Sequence, residues 1–259
     1  MTFAMWWILP ALAIDPVVEA VESGQIDWTH MRLEITARSD RTVGAWKNVR
    51  VQEQDALDRL KPLIDDAARR VRFDSARQAD DLLSSDEGGA PANIIRRLDD
   101  GLGSWRVRET RYLSNGGVEM DGVLEIHRWL RPMLLSLSKP RERGSPKEGP
   151  TGVLIDARHL DFRPCLAPEV RSPDDTPLVH PSMVQAEILR SKTPVIYVRD
   201  PADPIAANRA GPHPIFLTAE SSQRDCLLYM SPSDSQLLKN SAGFSNAVAA
   251  AKVVIVVTP

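Results

Sequence analysis

Aromatic side chains are scarce, at 5% of the chain, so the stacking platforms that hold single-stranded nucleic acid are not expected. Charge of one sign is not in excess either. Lys and Arg number 32 against 35 Asp and Glu, a net charge of −3. That balance sets up no broad field toward nucleic acid or an anionic membrane. Cysteine is limited to Cys165 and Cys226, too few for a disulfide scaffold or a thiolate zinc site. One bridge between them is open in an oxidising compartment; otherwise both read as small buried hydrophobes. The apolar run at residues 3–9 falls short of the roughly 20 residues that cross a bilayer, so no transmembrane span is expected there.

Catalytic signatures are missing as well. No G-x-S-x-G occurs, which argues against the nucleophile-elbow arrangement. No G-x-x-x-x-G-K or G-x-G-x-x-G cradles a phosphate. The five histidines, His30, His127, His159, His180 and His213, show no H-x-x-x-H spacing. No metal and no cofactor is expected, and the chain reads as a non-enzyme.

Proline is plentiful, at 20 residues, which stiffens loops. The N-terminal apolar run precedes Pro10-Ala11-Leu12-Ala13. Ala11 and Ala13 fit the small-x-small rule of a signal-peptide cleavage site, although no Lys or Arg precedes the run. Residues 1–13 are therefore read as a signal peptide, with the mature chain starting at Ile14. No Cys follows the run to carry a lipid anchor.

Residues 33–37 alternate apolar and polar, the period of a half-buried strand. Leu57, Leu60, Ile64, Ala67 and Val71 recur at three- and four-residue steps and make the apolar stripe of a helix. Pro62 lies inside that stretch and is expected to kink or split it. Residues 78–85 and 92–102 read as further helices, the second ending at Gly101 or Gly103. Residues 105–113 and 118–126 flank Asn115-Gly116, whose dipeptide predicts a type I′ hairpin. Arg106, Arg108 and Arg111 on this hairpin face Glu119, Asp121 and Glu125 as cross-strand partners. A short apolar helix or tail over 128–137 and a Pro/Gly-rich linker over 138–150 follow.

In the second half, the runs at 152–155, 194–198, 215–219 and 252–257 read as strands, the first and last of them buried. Ser231-Pro232 is a helix start, with the serine hydroxyl as cap and proline in the first turn. The fold class expected is α+β: a strand–helix–strand–strand domain over 14–137, then a second small α/β domain over 151–259.

Asp156, Arg158 and His159 leave a buried strand where open α/β sheets often hold ligands. They are the candidate ligand-binding residues, with Asp161 close by. The competing expectation is structural, with Arg158 pairing Asp156 in a partly solvated setting and contributing to stability.

The segment 151–170, TGVLIDARHLDFRPCLAPEV, resembles part of the bacterial lipoprotein family that includes flagellar assembly protein T and the flagellar basal-disk protein P. Members commonly show a strand, then D-A-R-G-L, then P-A-hydrophobic-x-P. His159 stands where the family usually has Gly, and Cys165 where it usually has Ala. The run Asp27-Trp28-Thr29 resembles the lead-in to the family's first strand, and residues 111–120 its R-Y-x-S-D-G-x-V-E-V hairpin. Residues 209–214 and 251–256 also fit, so the resemblance spans most of 25–259. It implies a non-enzymatic exported protein, periplasmic or outer-membrane-associated. Its partners would be envelope proteins, flagellar motor components or further copies of itself, in a motility accessory or assembly role. The alternative is a small-molecule or metal-binding periplasmic module built on Asp156, Arg158 and His159.

Overall fold

The structure, a computed structural model, describes residues 15–40, 48–84, 90–138, 149–241 and 243–258. The expected signal peptide at 1–13, the loop around Gly44 and most of the expected linker lie outside these residues.

Strands β1 (Val18–Val21), β2 (Gly24–Asp27) and β3 (Arg32–Arg38) open the chain, followed by helices α1 (Val49–Arg69), α2 (Ala79–Leu83) and α3 (Ala92–Leu102). Strands β4 (Arg106–Tyr112) and β5 (Val118–Glu125) form the hairpin, and α4 (Ile126–Leu137) follows directly. The five strands make one antiparallel sheet in the order β1-β2-β3-β5-β4.

One face of this sheet is apolar because β3 and β5 register their alternating hydrophobic residues. Leu33 faces Leu124, and Ala37 faces Met120. Between them Ile35 faces Gly122, which admits α1: a Cβ there would lie 2.5 Å from Ile64 Cδ1. Ala56, Leu60, Ile64 and Ala68 of α1 fill that face. The helix passes through Pro62 without interruption. The proline ring is on the exposed side, where its missing donor leaves the carbonyl one turn back free to meet water. The other face of the sheet carries cross-strand ion pairs, with Arg108–Glu34 and Arg111–Asp121 at 2.6 Å and Arg38 on Glu119.

The turn at Asn115-Gly116 differs from the expected type. Type I′ needs positive φ at both central residues, and only Gly116 has it, at 82°. The Gly116 N–H donates to Leu113 O, and Leu113 N–H to Gly117 O. The loop is therefore three residues long, with glycine at the left-handed position.

The second half comprises β6 (Val153–Asp156), β7 (Glu169–Arg171), β8 (Pro177–Val179), α5 (Ala186–Leu189), β9 (Val195–Val198) and α6 (Pro204–Ala210). It closes with β10 (Ile215–Gln223), β11 (Leu227–Met230), α7 (Pro232–Asn240), α8 (Phe244–Ala249) and β12 (Val253–Val256). These strands build a mixed seven-stranded sheet in the order β8-β7-β11-β10-β6-β12-β9. Strands β10, β6, β12 and β9 run parallel; β6, β12 and β9 are apolar on both sides, whereas β10 alternates buried and exposed residues. Helix α6 covers one side over Leu154, Val254 and Val256. The Ser231 hydroxyl accepts the Asp234 N–H and caps α7, as its sequence predicts.

The two sheets share one core. Side chains from Val17 in the first half to Val257 in the second form a single buried cluster. Thr29 Oγ1 donates to Tyr197 O on the open edge of β9, and the Trp28 ring meets the Tyr197 ring edge-on at 6.3 Å. The Tyr197 hydroxyl donates to Cys165 O at 2.7 Å, and Cys165 is bonded to Cys226. The bridge holds the 157–166 loop onto the β10–β11 turn, where Arg224 and Asp225 both take positive φ.

The bridge closes a loop of 61 residues. Loop-closure entropy then gives about 4 kcal/mol of stabilisation. Replacing both Cys165 and Cys226 by Ala should lower the urea-unfolding free energy by about that amount under oxidising conditions. Reductant should move the wild-type midpoint toward the variant's; coincident denaturation curves for the two proteins would refute the bridge's role.

Candidate functional site

Asp156 is the last residue of β6, so its side chain emerges where the parallel strands end. The chain then turns through Ala157, whose N–H is taken by Val256 O of the neighbouring strand. This brings Arg158 back over Asp156. Arg158 Nε donates to Asp156 Oδ1 at 2.9 Å and Nη2 to Oδ2 at 2.6 Å, and its backbone N–H reaches Oδ1 at 3.1 Å. Both carboxylate oxygens are thus occupied by one neighbour. The Arg158 guanidinium holds the Asp156 carboxyl below its usual range, against a smaller opposing effect of burial. Arg158 is 44% exposed.

Of the three residues expected to form a ligand site, Asp156 and Arg158 are engaged with each other. The exposed His159 is near enough to act electrostatically on the Asp156 carboxyl. Among the described residues no three carboxylate, imidazole or thiol groups converge on a common point.

The loop continues into a better-built place. Leu160, Phe162, Arg163 and Pro164 border a cavity of about 430 Å3 against Val17, Glu19 and Trp28 of the first half. Arg72, just past the end of α1, forms its wall. The guanidinium makes a bidentate pair with Glu19, with Nη1 to Oε1 at 2.9 Å and Nη2 on Oε2. Its Nε donates to Pro164 O at 2.9 Å, and the group sits 5.5 Å from the Trp28 ring centroid. Trp28 Nε1 adds a third donor to Glu19, at 2.8 Å. Burial works against ionising Glu19, but the donors on Arg72 and Trp28 outweigh it and leave the carboxyl below its ordinary range. The backbone joins in: Leu166 N–H donates to Arg72 O and Ala167 N–H to Phe73 O. Arg72, Glu19 and Trp28 are thus held by protein partners from both halves, and the cluster clamps the halves together.

Sequence reading passed over Arg72 and Glu19. Arg72 follows the last residue of the helical stripe and looks like part of its charged face. Its partners lie 53 and 92 positions away, and nothing local marks them.

Residues 152–259 match a family model described as the second domain of Treponema pallidum Tp0624. That stretch is less than half of the chain, and the family differs from the flagellar one that the motifs resemble. No curated protein matches.

Two substitutions separate the clamp from the strand-end pair. Arg158→Ala should lower the melting midpoint by only a few degrees, less than Arg72→Met, because Arg158 is 44% exposed although Asp156 keeps just 15%. Arg72→Met should cost about 2 kcal/mol, less than a fully buried pair because Glu19 keeps a third of its exposure. The pH dependence follows from Glu19. Its carboxyl is lowered in the folded state, so its contribution is complete above the unfolded value near pH 4 and is lost as pH falls through the folded one. Thermal melts between pH 3 and 7 should show a shallower acid limb for Arg72→Met than for wild type; parallel limbs would count against the pair.

Proposed function

We propose that this is an exported, envelope-associated protein that works by assembly with protein partners rather than by catalysis. The Cys165–Cys226 bridge carries this reading. It lies fully buried at the junction of the two sheets, and structural disulfides persist in oxidising compartments such as the periplasm. The apolar leader at residues 1–13 supports the same location. The described residues contain no helix long and apolar enough to cross a membrane. The polar groups that fold into the interior, Arg72, Glu19, Tyr197 and Thr29, are engaged in holding the molecule together. A motility role, with flagellar motor components or further copies of the chain as partners, rests on the resemblance of residues 27–29, 111–120 and 151–170.

Fractionation of the native host decides the location. The mature chain should be found in the periplasm or with the outer membrane, and its first residue should be Ile14. Recovery of protein beginning at Met1 in the cytoplasmic fraction would sink the export reading. The motility part is tested separately. An in-frame deletion should impair swimming or alter the motor seen by electron cryotomography, and normal swimming with a normal motor would remove it.

A further inference from the structure

A second cavity, of about 450 Å3, opens at the opposite end of the parallel strands. Five segments build it. The turn between β2 and β3 supplies Thr29, His30 and Met31. The ends of the β4–β5 hairpin supply Arg106 and Glu125, and the first turn of α4 supplies His127 and Arg128. The approach to β9 brings Ser191, Lys192 and Thr193, and the last turn of α6 brings Arg209. Four cationic side chains therefore line the space against one carboxylate, in a chain whose net charge is −3. The carboxylate is already engaged: Glu125 is paired with Arg32 at 3.2 Å and Arg106 at 3.5 Å. Arg128 and Lys192 are exposed and have no ion-pair partner recorded among the described residues.

Arg209 is the informative member. It is largely withdrawn from solvent, and its only recorded hydrogen bond runs from Nη2 to Thr193 O. Nε is fully buried without a hydrogen-bond partner. Burial pushes its pKa down to about 10, with no carboxylate offsetting it, so it remains charged at neutral pH. A buried, uncompensated guanidinium is costly, and an unpaired buried donor adds to that cost. The two histidines do not relieve the imbalance. The His127 Nε2–H donates to Leu189 O at 3.0 Å, and burial lowers the pKa of the ring, which keeps it neutral. His30 is turned to Asp27 at 2.7 Å.

We propose that this cavity binds the multiply charged oxyanion group of a small molecule, a phosphate or a polycarboxylate, with Arg209 at its floor and Arg128 and Lys192 at its mouth. A planar guanidinium fork matches two oxygens of either group, and two further cations neutralise the remaining charge. The walls come from both sheets, so an occupant would link the two halves of the molecule at the end opposite the Arg72–Glu19 clamp. This goes beyond the assembly reading and stands whether or not that reading does.

The test uses the full mature chain, with pyrophosphate and citrate as probes in isothermal titration and thermal melts, and sodium chloride at matched ionic strength as control. Wild type should bind at least one probe at millimolar concentration or below and gain in melting midpoint. The probe that binds more tightly assigns the ligand to the phosphates or the carboxylates. Arg128→Gln combined with Lys192→Gln replaces exposed side chains, so it should fold normally and bind at least tenfold more weakly. Arg209→Met should fold as well, because it removes a buried charge that has no counterion, and should lose binding altogether. If Arg209→Met does not fold, the exposed double variant decides. No binding of either probe by wild type, or equal binding by wild type and the double variant, would overturn the proposal.

Discussion

The Tyr197 side chain is the point on which the architecture turns. It lies on β9, the edge strand of the parallel array, and it is completely buried. An uncovered edge strand of four apolar residues would invite pairing with another chain. Here the segment from Trp28 to Met31 lies along it. Thr29 fills the acceptor at Tyr197 O, and Trp28 packs its ring edge against the phenol. The phenol hydroxyl then satisfies both backbone groups of Cys165, accepting from its N–H at 3.2 Å and donating to its carbonyl. Burial of the ring raises the hydroxyl's pKa, so it stays a neutral donor. One side chain thus joins the first sheet, the parallel array and the disulfide loop.

Arg72 repeats this logic at shorter range. A guanidinium that is only 12% exposed needs acceptors for its donors. It finds them on β1 through Glu19 and on the 157–166 loop through Pro164. Packing contacts alone would tolerate small sliding of one half over the other. A bidentate pair with a third, differently directed bond fixes the register. The acid sensitivity of this junction comes from the same geometry, because its one carboxylate holds three donors.

The features legible in the sequence were those whose cause is local. The α1 stripe, the apolar runs at β6, β9 and β12, the Ser231 cap and the β4–β5 hairpin each carry their signal within a few residues. Strands β7, β8 and β11 do not. They have three or four residues each, and they exist because a neighbour supplies the ladder. The β1–β2 hairpin was missed for the same reason. The Asn115-Gly116 turn shows the limit of a dipeptide rule: one glycine at positive φ serves a three-residue loop as well as a two-residue one. The bridge between Cys165 and Cys226, left open by their spacing, forms because β11 returns beside the loop after 61 residues.

The same distinction decides where the chemistry lies. Asp156 and Arg158 drew attention because they sit at the carboxyl end of a buried strand, the usual ligand side of an open α/β sheet. In this molecule Arg158 covers Asp156, and the neighbouring space is bordered by the 157–166 loop, β1 and Arg72. The crevice that a bare parallel sheet would offer has become part of the junction between halves. At the amino ends of the strands the first sheet contributes differently. It adds Arg106 and Arg128 to Lys192 and Arg209 and supplies no carboxylate to match them beyond Glu125. Those residues are spread from position 106 to position 209, so no spacing rule could gather them. What marks the place is an electrostatic imbalance that only the folded chain creates: a guanidinium largely taken out of water without a counterion, whereas Arg72, also little exposed, is paired with Glu19.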